Sequence, residues 1–209
     1  KSYEERFESI LDEFTRAICR DDEVVITKKQ LKGKNQPKFN LPELSYKFYG
    51  VDLFAIESIS SSTVLTLICE VGMGIYNFKT SKQFSSFLRL APNNRISGGK
   101  VISSRTPKGS NRLALALRNA ANTIDKTKDG ALTRFFKRVA YKKGRGAAVT
   151  ATARKLAVII WNMIVKKEPY RALNLEIYQK QMKEKAITSI KRKINALGMS
   201  NEELHAALS

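Results

Sequence analysis

The stretch Arg95-Ile-Ser-Gly-Gly-Lys-Val-Ile-Ser-Ser-Arg-Thr-Pro-Lys-Gly-Ser-Asn-Arg112 collects the residue types that a phosphate site needs. Ser97 directly precedes Gly98 and Gly99, where the backbone can approach a ligand closely and adopt positive φ. Gly109 and Ser110 are read as opening a helix whose first free N–H groups point at an anion. Lys108 and Arg112 lie four apart at that start and would share a side of it. Arg95, Lys100 and Arg105 add cations. A serine hydroxyl is a poor nucleophile without a base or strong electrostatic help. Cations of this kind can stabilise the charge on a transferring phosphoryl group. Ser-Gly-Gly alone is usually an ordinary turn, so the blander alternative is a turn serine among phosphate contacts.

The charge distribution favours a polyanionic partner. Residues 73–172 carry 22 Lys and Arg against three acids, Asp125, Asp129 and Glu168. Residues 1–72 carry 10 bases and 12 acids, and residues 173–209 carry 6 and 4, so the net +19 sits in the middle segment. A surplus confined to one segment is a local field, and nucleic acid is the commonest polyanion to answer it. Lys137-Arg138 and Lys142-Lys143-Gly-Arg145 are read as solvated phosphate contacts that position without specifying sequence. The aromatics do not interleave with bases in the manner of a single-strand stacking platform, and Phe135, Phe136 and Trp161 are expected in the core.

Composition narrows the chemistry. The single histidine, His205, lies five residues from the end, which argues against a histidine zinc site, a Ser-His-Asp triad or a histidine base in the basic segment. Cys19 and Cys69 lie on apolar helix faces and are expected as buried thiols in a reducing cytoplasm. No signal peptide is visible. The apolar run from Leu156 to Val165 is broken by Asn162 and flanked by lysines, so it reads as a core helix rather than a membrane span. The chain opens on Lys1 with an amphipathic pattern already running by Phe7, which reads as a piece of a longer protein.

Helical periodicity dominates the elements that must position the loop. Phe7, Ile10, Leu11, Phe14, Ala17 and Ile18 predict a helix over 3–19, and residues 20–50 read as a linker with at most short elements. Ser60 to Thr63 would cap an apolar run from Val64 to Val71 ended by Gly72, and Ser81 a short helix bearing Phe84, Phe87 and Leu88. Within the loop at 91–109, Lys100 to Ser104 is a candidate hairpin strand. Leu113, Leu117, Ala120, Ala121 and Ile124 share a face of the helix beginning near Ser110. A helix over about 130–143 should bury Leu132, Phe135, Phe136 and Val139. One starting at Thr150 or Thr152 and running to Lys167 is apolar nearly all round and should be central. Residues 174–197 form a long basic amphipathic helix ended by Gly198, and Ser200-Asn-Glu-Glu203 resembles a capping box opening a last short helix. The fold class is mainly α: a compact helical domain with a short β-hairpin or loop around 93–106 and peripheral amphipathic helices at both ends.

Four stretches resemble one family in its order and spacing. They are Phe87-Leu-Arg-Leu-Ala-Pro-Asn-Asn-Arg-Ile-Ser-Gly-Gly-Lys, Lys108-Gly-Ser-Asn-Arg112, Ala120-Ala121 and Thr150-Ala-Thr-Ala-Arg-Lys-Leu-Ala157. The family is that of the bridge-RNA-guided insertion-sequence transposases, which includes the Piv and MooV DNA invertases. The lead-in from Tyr49 to Thr63 also resembles it, and the match covers about residues 37–170. The resemblance implies an enzyme with an N-terminal RuvC-like domain holding magnesium, then a coiled coil, then this domain. It also implies that Ser97 attacks a DNA phosphodiester and becomes joined to the strand. Many members carry a Gly-Ile-Gly turn that grips nucleic-acid backbone; here the position reads Ser58-Ile-Ser-Ser61, so the glycines are lost.

The resulting expectations are concrete. Residues 1–50 form an N-terminal helix and basic linker, 51–172 the transposase C-terminal domain and 173–209 a helical extension. The catalytic residue is Ser97, with Arg95, Lys100, Arg105, Lys108 and Arg112 as phosphate ligands. No metal or cofactor belongs to this fragment, and magnesium belongs to the missing RuvC-like domain. Partners are DNA and a guide RNA, with no membrane, and the full-length enzyme works as a homo-oligomer in the cytoplasm. The fragment should bind nucleic acid and cleave none. Two rivals remain: a non-catalytic basic nucleic-acid-binding module, and a basic scaffold or membrane-surface protein.

Overall fold

A computed structural model describes residues 36–124, 126, 130–170 and 175–198, together with scattered helical residues between 5 and 13. The helix expected over 3–19 is seen only at those scattered positions. Cys19 and the expected final helix lie outside the described residues. By internal packing the chain divides after Tyr170 into two units.

In the first unit the helices are α1 (Leu41–Tyr49), α2 (Ser61–Glu70), α3 (Ser81–Phe87), α4 (Arg112–Ile124), α5 (Ala131–Lys143) and α6 (Arg145–Lys166). Short 3₁₀ turns occupy Leu53–Ala55 and Gly72–Asn77. Strands β1 (Arg95–Ser97) and β2 (Lys100–Ser103) form an antiparallel hairpin between α3 and α4. The fold is thus mainly helical with one small hairpin, as expected from periodicity. The second unit contains α7 (Leu175–Leu197), closed by Gly198 at φ +66°. Ile187, Ile190 and Leu197 on it are exposed.

Helix α6 is the central element and packs against α3, α4 and α5. It is long and apolar enough to cross a membrane, yet ten of its residues, Leu156, Ile160 and Trp161 among them, are buried in the core. Small residues at Ala148, Ala153 and Ala157, all fully buried, let neighbouring helices approach closely. The indole N–H of Trp161 donates to the carbonyl of Phe78 at 3.1 Å. Past its C-terminal end, Lys167 adopts the left-handed conformation. Its ammonium donates to the Tyr49 carbonyl and to Tyr76 Oη at 2.6 Å, which ties α1 to the end of α6.

Four expectations need correcting. The linker does not extend over 39–50, because Phe39, Leu41, Leu44, Phe48 and Tyr49 are core residues. Their helix starts from Asn40 with Pro42 in its first turn, where a missing N–H costs nothing. Helix α6 begins at Arg145 instead of Thr150, because Gly144 (φ +83°) ends α5 and the chain re-enters a helix at once. Cys69 is exposed, since it lies one step round α2 from the buried Leu67 and Ile68. Thr80 caps α3 in place of Ser81: its hydroxyl accepts from the Gln83 N–H at 3.2 Å, and Ser81 is the first helical residue.

Candidate nucleic-acid interface

The hairpin follows from Gly98 and Gly99, which take φ +54° and +72°. Positive φ at both central residues is the type I′ geometry that matches the twist of two paired strands. A side chain at either glycine would meet nothing within 4 Å, so these positions demand a backbone conformation and not space. Ser97 and Lys100 flank the turn as a register pair, with Ile96 opposite Val101 and Arg95 opposite Ser103 across a bulge. Residues directly opposite share a face, and residues two apart on one strand share a face. Arg95, Ser97 and Lys100 therefore stand on one side of the ribbon and Ile96 with Val101 on the other. All five are exposed.

The remaining cations named from sequence are placed differently. Arg105 lies just beyond β2, where its carbonyl accepts from the Asn93 N–H at 3.0 Å and closes the base of the hairpin. Lys108 is exposed in the following loop, and its carbonyl accepts from the Arg89 guanidinium. Arg89 itself sits at φ +55°, and its guanidinium lies against Gly109, whose φ of +129° is the reason for a glycine there. Arg112 is the first residue of α4 and forms an exposed ion pair with Glu70 at 3.4 Å. Lys108 therefore precedes the helix, and the four-residue spacing to Arg112 does not place the two on one helical side. The N-terminus of α4 is also less open than expected, because Asn111 Oδ1 accepts from the Ala114 N–H at 2.9 Å. The structure brings Arg95, Ser97 and Lys100 together on the ribbon, with Arg105 at its base, and leaves Lys108 in the loop before α4 and Arg112 on its first turn.

A groove of about 1320 Å³ opens beside the hairpin base. Its walls come from Leu90 to Asn94, Ser104 to Thr106, α5 and α6. Six of its described lining residues are basic, namely Arg105, Arg138, Lys142, Lys143, Arg154 and Lys155, and none of those described is acidic. Phe135 is half-buried on this wall rather than in the core. Arg138 lies 5.5 Å and Lys155 4.6 Å from its ring centre, within cation–π range. Phe136, one residue on, is fully buried, as adjacent helical residues point about 100° apart. Arg154 and Lys155 were visible in the sequence only as part of a motif. The signal that would have singled them out is the helical repeat Ala147, Ala151, Arg154, Lys155, Val158 facing Phe135, Arg138, Val139 and Lys142 on α5.

The turn before α2 keeps a glycine's backbone without the glycine: Ser58 stands at φ +67° with its hydroxyl buried and unpartnered. Ser60 stands at the cap position just before α2, but its hydroxyl meets Ser62 Oγ at 3.0 Å and Thr63 Oγ1 at 3.2 Å instead of a backbone N–H. Among the described residues no three His, Cys, Asp or Glu side chains converge.

Comparison with known proteins adds two findings. Residues 52–137, which include the hairpin, match the sequence model of the Transposase IS116/IS110/IS902 family. The chain is also 30% identical over 121 residues to the transposase for insertion sequence element IS1111A of Coxiella burnetii (strain RSA 493 / Nine Mile phase I), a match covering 56% of this chain. It spans 33% of that relative's length.

Proposed function

We propose that this chain is the serine-bearing part of a DNA transposase of that insertion-sequence family. The observation that carries the reading is an exposed serine on a two-stranded hairpin, with two cations on its own face, inside the matched residues 52–137. In the proposed step Ser97 Oγ attacks a phosphodiester phosphorus. The Oγ–P bond forms, the bond from phosphorus to the leaving deoxyribose oxygen breaks, and that oxygen gains a proton as Ser97 loses one. Arg95 and Lys100 stabilise the phosphoryl oxygens, with Arg105 behind them. Lys108 and Arg112 hold the flanking backbone. Arg112 would leave Glu70 to do so, at little cost, because an exposed ion pair of this kind contributes only ~0–1 kcal/mol. Rejoining is the same displacement run with a DNA hydroxyl as the attacking group.

Magnesium would be held by a RuvC-like part of the full-length enzyme, and the guide RNA and a second protomer are partners of that whole. We expect residues 1–209 alone to bind nucleic acid without cutting it. The test uses the full-length enzyme on DNA carrying its recombination site. Denaturing gels should show protein covalently joined to DNA, lost in Ser97→Ala while binding persists. Cleavage by the isolated chain, abolished by Ser97→Ala, would overturn the division of labour.

A further inference from the structure

We propose that the groove between α5 and α6 holds an unpaired stretch of the DNA strand, with its phosphates on the cationic rim and its bases on the groove floor. The groove's volume of about 1320 Å³ exceeds the ~300–1,000 Å³ that a drug-sized ligand fills, which favours a polymer. Its six cations, with no acid among the described lining residues, match a phosphate chain. A duplex meets a protein through phosphate ridges and buries its base faces within itself. An unpaired strand offers phosphates along one edge and apolar base faces along the other. The groove has both counterparts: Arg105, Lys142, Lys143 and Arg154 around it, and half-buried Val139 and Val158 beneath. Phe135 is a positioning residue here, since its ring seats Arg138 and Lys155 and aims their charge. The assignment to DNA rests on the function proposed above. Ser104, Arg105 and Thr106 continue directly from β2, so the strand in the groove is taken as the one presented to Ser97.

The 209-residue chain can be titrated against a labelled 15-nucleotide DNA strand, its duplex and the same sequence as RNA, by fluorescence anisotropy over a salt series. We expect the single DNA strand to bind more tightly than the duplex. Lys142→Ala/Lys143→Ala should weaken the single strand about ten-fold and flatten its logarithmic salt slope by about 0.7 for each phosphate no longer neutralised. Phe135→Leu, which changes no charge, should weaken it about three-fold by removing the cation–π seat. Lys79→Ala/Lys82→Ala removes equal charge from exposed positions outside the groove and should change binding by less than about two-fold. All four lysines are exposed, so folding is retained, and circular dichroism checks it. The proposal is overturned if the duplex binds as tightly as the single strand, if both lysine pairs behave alike, or if RNA binds more tightly than DNA. Those outcomes leave the Ser97 adduct untouched, whereas a chain that binds no nucleic acid would defeat both proposals.

Discussion

Ser58 and Gly99 occupy the same left-handed region of backbone space, at φ +67° and +72°, with opposite consequences. A left-handed residue with a side chain costs roughly 1–2 kcal/mol, and Ser58 also buries a hydroxyl without a partner. Ser58→Gly should therefore stabilise the fold by about 1 kcal/mol, read as a Tm increase of a few degrees. Gly99→Ala should do the reverse, opening the hairpin without any clash, and faster amide exchange at Ser97 and Lys100, the hydrogen-bonded pair beside the turn, would report it. Burial, and then the charge of Glu57, push the Tyr170 hydroxyl up to about 12. The folded form thus keeps its proton where the unfolded chain has lost it. That contribution is complete below pH 10 and disappears as pH rises towards 12, so denaturation midpoints should fall across that window and fall less in Tyr170→Phe. At this scale the hairpin was legible in part, because a Gly98-Gly99 pair lying between Ile96 and Val101 is a hairpin signal, whereas Ser-Gly-Gly alone assigns no role to Ser97. The pairing of Arg112 with Glu70 was hidden, since no local pattern links residues 42 apart.

The helices were legible wherever a 3.6-residue period met a turn residue. Leu113, Leu117, Ala121 and Ile124 line the buried face of α4, as their spacing requires. Two elements escaped for physical reasons. Helix α1 is nine residues long and announces itself by a proline, and the start of α6 carries Arg145, Gly146 and alanines that give no amphipathic signal. Phe135 and Phe136 point about 100° apart on α5, and only Phe136 is fully buried. The centrality of α6 has a measurable corollary. Ala153 is fully buried, so Ala153→Leu should overpack the interior and cost about 1–3 kcal/mol in denaturant unfolding. Removing the Lys167 ammonium, which bonds Tyr49 and Tyr76, should cost about 1–2 kcal/mol in Lys167→Met.

On the scale of the whole molecule, the charge asymmetry becomes a surface. The cations of residues 73–172 supply both the hairpin face and the groove, although one, Arg112, is drawn off by Glu70. Binding to DNA should fall steeply and linearly on logarithmic axes with salt, and binding to anionic vesicles at equal salt should be weak. Comparable affinity for vesicles would favour the surface-scaffold alternative. The most direct measurement concerns the covalent adduct itself. Trypsin cuts after Arg95 and after Lys100, releasing Ile96-Ser-Gly-Gly-Lys100, a peptide whose only hydroxyl is that of Ser97. If the full-length enzyme is trapped on DNA and digested with trypsin and nuclease, mass spectrometry should find the nucleotide remnant on this peptide. A remnant on any other peptide, or an adduct that survives Ser97→Ala, would contradict the proposed role of Ser97.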